Sequence, residues 1–203
     1  MDRIVFDCET QKLFSEIKDR TKVWDLKLST AVTYSYKEDL YRFWTYSAQN
    51  DLIEYLSGNF VIGFNSITFD SPLLLGEKCV TSVTGQTSSD GVHSWTNFDI
   101  LFECKKHLYA LPKDASIAQV NEEQRKNFSV SQRGVYSLDS ICTATLNHKK
   151  NGHGENAVDL FRSKRIKDLL EYNLQDVRLT KQLYDFIKKH GYLVNGAYDI
   201  IQF

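Results

Sequence analysis

A short apolar run, Ile4-Val5-Phe6, leads directly into Asp7-Cys8-Glu9, and this is the feature that most constrains the chain. The run fits a buried strand. Residues i and i+2 of a strand share a face, so Asp7 and Glu9 project together and Cys8 projects the other way. Two like charges side by side repel unless a cation bridges them. A polar strand end running into a loop is the plainer alternative, and these residues alone leave both open. Cys8 reads as a small core residue, not a nucleophile.

Beyond the first strand the chain alternates between strands and helices. Residues 31–36 (AVTYSY) and 41–46 (YRFWTY) are rich in β-branched and aromatic types, and a four-residue loop joins them as an antiparallel pair. Ser47 or Asn50 is placed to cap a helix over 51–56 that Gly58 stops. Phe60–Phe64 (FVIGF) is a second buried strand. Asp70-Ser71-Pro72 signals a helix start, with Ser71 as cap and Pro72 at the first helical position. Residues 80–97 read as loop, 98–109 as helix and 110–134 as a polar, irregular insertion. Ser137 caps a helix carrying Leu138, Ile141 and Cys142, and a long helix runs from about Ser163 to His190. This order predicts a mixed β-sheet flanked by α-helices, an α/β fold.

At 203 residues, with 42% hydrophobic and 25% charged, the chain fits one domain over 1–203. Lys+Arg 25 against Asp+Glu 26 argues against a protein that coats nucleic acid by bulk positive charge. The charge is uneven, however: residues 105–190 hold 16 Lys/Arg and 10 Asp/Glu. The four cysteines form no CxxC pair, which argues against structural zinc and a disulfide framework. No secretory signal is visible, and no apolar run approaches the roughly 18 residues of a membrane helix. A soluble, reduced, cytoplasmic protein with no membrane partner is expected.

Two further acids stand at informative positions. Asp70 follows the second apolar strand, in Gly63-Phe64-Asn65-Ser66-Ile67-Thr68-Phe69-Asp70. If the two strands are parallel neighbours, their C-terminal ends share the edge where open α/β sheets place ligands. A helix N-terminal acid favoured by the dipole is the plainer role. In the long helix, Ile166, Leu170, Leu174, Val177, Tyr184 and Ile187 form the expected core stripe. Asp176 and Tyr172 fall on one shoulder of it, a turn apart. An exposed acid pairing with Lys181 or Arg178, and a merely packing Tyr, are the alternatives.

Taken together the four acids say more. Converging at one sheet edge, they would carry a prohibitive self-repulsion without bound divalent cations. Oxygen-only ligation selects Mg²⁺ or Mn²⁺ over zinc. Two such ions stabilise the attacking and leaving oxygens of phosphodiester cleavage.

Phe6–Thr10 (FDCET), Gly63–Leu74 (GFNSITFDSPLL) and Tyr172–Asp176 (YNLQD) resemble, in order and spacing, the three exonuclease motifs of the DEDD superfamily. Tyr four residues before the last Asp is similar to the DEDDy branch. The DEDDh branch would place His where this chain has Glu171. The likeness is nearest to exonuclease domains of family-B DNA polymerases and their stand-alone relatives.

The resemblance implies a ribonuclease H-like fold and two-metal removal of nucleotides from 3′ ends of single-stranded or frayed DNA or RNA. It implies that Asp7, Glu9 and Asp176 hold one Mg²⁺ or Mn²⁺, and that Asp7 shares a second with Asp70 nearby. Tyr172 would orient the attacking water by hydrogen bonding. Asn65 would contact the terminal nucleotide, and Phe69 and Phe64 would pack on a base or fill the core. A polymerase or repair partner would fit the resemblance, though no residue pattern encodes one. The competing functions are a catalytically silent nucleic-acid-binding module of the same fold and a ribonuclease H-type endonuclease. His148 and His153 read as exposed loop residues.

Overall fold

The central strand β1 (Arg3–Thr10) is flanked on one side by an antiparallel neighbour and on the other by a parallel one. A computed structural model describes residues 1–81, 85–88, 91–127, 134–148 and 157–203. Among these, β2 (Leu28–Ser35) and β3 (Leu40–Thr45) form the expected hairpin beside β1. Its turn is closed by Asp39, at φ 52°, whose carboxylate accepts from the Tyr34 hydroxyl at 2.6 Å. On the far side of β1 lie β4 (Phe60–Gly63) and β7 (Ser94–Asp99), both parallel to it. The short strands β5 (Cys79–Thr81) and β6 (Gly85–Ser88) extend that side, giving the order β3-β2-β1-β4-β7-β6-β5.

Alternation along β1 sorts the core into two layers. Val5 points to one face, where it packs with Val32, Ile62, Val177, Leu183 and Ile187. Ile4, Phe6 and Cys8 point to the other, packing with Leu52, Leu56, Val61 and Leu73. The second layer belongs to α1 (Gln49–Leu56) and α2 (Asp70–Leu75). The first belongs to the 25-residue helix α7 (Ile166–His190), which ends where Gly191 takes φ +76°. Helices α3 (Ile100–Leu108), α4 (Ile117–Asn127), α5 (Leu138–Leu146) and α6 (Ala157–Arg162) complete the set, with a separate pair β8 (Tyr192–Val194) and β9 (Ile200–Gln202). The architecture is α/β and ribonuclease H-like, with sheet and helices as anticipated. No helix among the described residues is long and apolar enough to cross a membrane.

Several local expectations need correction. The stretch 80–97 is not loop: it holds parts of three strands. β7 alternates in burial, but Asn97 and Asp99 occupy inward positions that usually carry apolar residues, so the period-two signal is faint. The helix expected from residue 98 starts at Ile100, because Phe98 ends in the sheet and the Asp99 side chain caps the helix by accepting from Phe102 N–H. The insertion 110–134 is not irregular throughout, since α4 occupies Ile117–Asn127. It docks through Val120 onto Ile67 and Phe102, and one buried side chain in eleven residues leaves little amphipathic pattern to read. Residues 128–133 lie outside the described residues. Helix α2 begins at Asp70, so Phe69 holds the cap position and Pro72 falls third in the helix. The Ser137 cap is as expected, its hydroxyl accepting from Ser140 N–H.

Candidate metal centre

β1 outruns its parallel neighbour. Pairing with β4 covers only Arg3, Ile4 and Val5, so past Val5 there is a gap in the strand ladder at the C-terminal edge of the sheet, where open α/β sheets place ligands. Asp7 and Glu9 continue the face that Val5 presents to α7. From across that gap α7 delivers Asp176, only 9% exposed. Asp7, Glu9 and Asp176 each present an oxygen within 4.8 Å of the other two. Three carboxylates so close cannot all stay ionised without compensating charge. The donor set is oxygen only, which fits Mg²⁺ or Mn²⁺.

A fourth residue completes this corner. Asn173, fully buried, donates from Nδ2 to Asp7 Oδ2 at 2.5 Å. Its own Oδ1 is buried without a hydrogen-bond partner among the described residues, the kind of orphan that marks a functional corner. Apolar periodicity does not find Asn173, because the core stripe of α7 runs differently from the one expected. Leu169, Asn173, Asp176, Val177, Thr180, Leu183, Tyr184 and Ile187 are buried, whereas Ile166, Leu170 and Leu174 are half-buried. The N-terminal half of the helix thus turns polar side chains inward, which an apolar stripe cannot reveal. Tyr172 is half-buried, one turn before Asp176 on the same helix. Lys181 pairs with Asp185 at 2.8 Å, and Arg178 lies over the Tyr41 ring at 5.6 Å.

Asp70 approaches β1 from the other layer and stands outside the three-carboxylate cluster. It is 2% exposed, and its Oδ1 accepts from Cys8 N–H at 2.9 Å, a donor that β4 is too short to engage. Burial, reinforced by the charge of Asp99, pushes its carboxyl up to about 7 even though the Cys8 amide pulls the other way. Cys8 is buried, and burial pushes its thiol well above the ordinary range, consistent with a core residue.

Asp99 is the second residue that sequence reasoning missed. It ends β7 opposite Gly63, and its carboxylate accepts from Asn65 N–H and Ile67 N–H at 2.9 Å and from Phe102 N–H at 3.1 Å. Burial pushes its carboxyl up, and the three amides oppose that. The signal was present: an Asp directly before the apolar positions 100, 102 and 104 is a helix cap by type.

The loop wrapped over Asp99 positions the motif around Asn65. Asn65 takes φ +69°, a left-handed conformation that Asn tolerates, and its Oδ1 accepts from the Thr68 hydroxyl at 2.8 Å. Gly63 is required, because a Cβ there would lie 2.4 Å from the Ser66 side chain. Phe69 is half-buried with its ring 6.0 Å from that of Phe14, and Phe64 packs against the α7 layer as core filling. His148 is exposed, with Nδ1 3.3 Å from Gln182 Oε1, and His153 lies outside the described residues.

Comparison with known proteins adds to this geometry. No protein-family model matches the sequence, and no curated protein matches it. Among solved structures, the chain is similar to the family B DNA polymerase of the hyperthermophilic archaeon Pyrobaculum calidifontis, with a TM-score of 0.51 at 13% identity. The match covers 92% of this chain and 24% of the polymerase, so the chain spans about a quarter of that protein's length. At that identity the likeness speaks for the fold, and it establishes that nearly the whole chain shares its α/β architecture with one portion of a family B DNA polymerase.

Proposed function

We propose that this chain is a metal-dependent 3′-5′ exonuclease of the DEDDy type, acting on 3′ ends of single-stranded or frayed DNA or RNA. The observation that carries this reading is the approach of Asp7, Glu9 and Asp176 to within 4.8 Å at an open sheet edge. A scaffold gains nothing from such repulsion, whereas phosphodiester hydrolysis needs a carboxylate cradle for cations. Asp7, Glu9 and Asp176 would hold one Mg²⁺ or Mn²⁺, and Asp7 would hold a second, with Asp70 near it. Bound there, divalent cations supply Lewis-acid polarisation of the phosphate and a more acidic water.

The remaining work belongs to the protein. Water attacks the terminal phosphodiester phosphorus, the P–O3′ bond breaks, and a nucleoside 5′-monophosphate leaves. Asn173 holds the Asp7 carboxylate in one orientation through its Nδ2 hydrogen bond. Tyr172 orients the water by hydrogen bonding. Asn65 and Phe69 sit on the loop beside Asp70, from which they would meet the terminal sugar and base. The Lys/Arg excess of residues 105–190 would supply phosphate contacts along the strand. A polymerase or repair protein is the partner class this activity suits.

The test is digestion of matched 3′-labelled DNA and RNA strands with Mn²⁺ or Mg²⁺. Mononucleotide release that Asp7→Ala abolishes is the expected result. Internal fragments would instead indicate an endonuclease, and intact strands alongside measurable metal binding a silent binding module.

A further inference from the structure

On the α7 side of the sheet, a cavity of about 570 Å³ opens between α3, the last turns of α7 and Phe203. Its size is within the usual range for small-molecule sites. Ile187 in its wall is eleven residues beyond Asp176, so about 16 Å along the helix separates it from the carboxylates. Aromatic rings make the floor: Phe98 lies 5.5 Å from Tyr184, 6.3 Å from Phe203 and 6.4 Å from Phe60 by centroid.

The rim is cationic. His107, Lys113 and Lys188 line it and are exposed. Neither Lys113 nor Lys188 has an ion-pair partner among the described residues. Among the described residues, the one acid lining the cavity, Glu103, is already engaged by Lys106 Nζ at 2.7 Å. That same ammonium donates to the Lys113 carbonyl at 2.6 Å, which ties the Lys113 segment to the cavity wall.

Neither half of this lining is explained by the simpler ligands. An inorganic anion would use the lysines and leave the aromatic floor unused. A purely apolar ligand would use the floor and gain nothing from the cations. A planar aromatic group bearing a phosphate satisfies both, because base faces stack on aromatic side chains while phosphate oxygens take lysine donors. We propose that this cavity is a nucleotide site, distinct from the carboxylate cluster, that takes a nucleobase on Phe60, Phe98 and Phe203 and its phosphate on Lys113 and Lys188. The occupant is either a free nucleoside monophosphate or one nucleotide of a bound strand, and the chemistry of recognition is the same. The site does not depend on turnover at the carboxylates.

Calorimetric titration of the 203-residue chain in chelator, where no hydrolysis is expected, tests it. Deoxyadenosine 5′-monophosphate should bind one to one, and deoxyadenosine or inorganic phosphate alone should each bind at least about tenfold more weakly. Lys113→Glu/Lys188→Glu changes only exposed side chains, and its thermal melt checks that the fold is intact. It should weaken monophosphate binding by about tenfold or more. Absence of saturable binding, equal affinity for the nucleoside, or an unchanged double variant overturns the proposal. With binding in hand, competition against a short single-stranded oligonucleotide assigns the source. Displacement by the monophosphate, lost in the double variant, identifies a strand nucleotide, and independent binding identifies the free nucleotide.

Discussion

Asp7, Glu9 and Asp176 turn their oxygens toward one another, while Asp70 and Asp99 turn theirs toward backbone N–H groups. The first group gathers negative charge where β1 outruns β4, with Asp7 and Glu9 half-buried and Asp176 buried. The second lies buried and spends its oxygens on backbone amides of β1, of the loop after β4 and of the first turn of α3. Residue type does not distinguish these acids, since each is a carboxylate in or beside a strand or helix. Their surroundings separate the jobs: carboxylates facing carboxylates need a cation, whereas Asp99, facing amides, holds the Asn65 loop in shape and Asp70 ties the start of α2 to β1.

That contrast can be broken by experiment, and the largest effect belongs to the three-carboxylate cluster. Asp7→Ala should lower nuclease activity by at least about 10²–10³-fold, the scale seen when one electrostatic element of an active site is removed. Urea unfolding of the same variant should leave the m-value unchanged, showing that activity and not the fold has been lost.

Asp99→Ala should do the reverse and act first on stability. It strands two buried amide donors, of Ile67 and Phe102, at about 1–3 kcal/mol each, and the half-buried one of Asn65, so a loss of about 2 kcal/mol or more is expected. A lower urea midpoint at constant m would register it. A midpoint equal to the parent's would mean that Asp99 does not hold the Asn65 loop.

Metal addition sharpens the comparison next. Mn²⁺ at about 100 times its Kd should stabilise the parent by about 2.7 kcal/mol, read as a rise in Tm. Asp7→Asn should lose most of that gain, and Asp99→Asn should keep it. Equal gains in both variants would place the cation elsewhere.

Asn173→Ala carries the smallest expected effect, a fall of about 10–100-fold in metal affinity, typical of a residue that orients a ligand. Isothermal titration with Mn²⁺ measures it directly. Asn173→Asp is the informative partner, because it exchanges a donor for a fourth carboxylate beside Asp7.

Legibility followed the range of the interactions. The period-two pattern of β1 correctly put Asp7 and Glu9 on one face and Cys8 on the other, since strand alternation is local. Helical spacing correctly put Tyr172 and Asp176 a turn apart for the same reason. Where inward positions are polar, as at Asn97 and Asp99 in β7 and Asn173 in α7, hydrophobic pattern had nothing to register. Apolar pattern therefore does not reveal β7, and the buried stripe in the N-terminal half of α7 lies about one residue from the apolar one. Helix α4 hid differently, because its single buried side chain, Val120, finds its partners Ile67 and Phe102 only through the fold.

By itself, then, the chain determines that Asp7 and Glu9 share one face of a strand and that Tyr172 and Asp176 stand a turn apart on one long helix. Only the tertiary structure decides their company. The hydrogen bond from Asn173 to Asp7 spans 166 positions, and that from Cys8 to Asp70 spans 62. No local periodicity encodes such pairs. They exist because β1 is longer than β4 at one edge, and because α7 crosses that edge with its polar half inward.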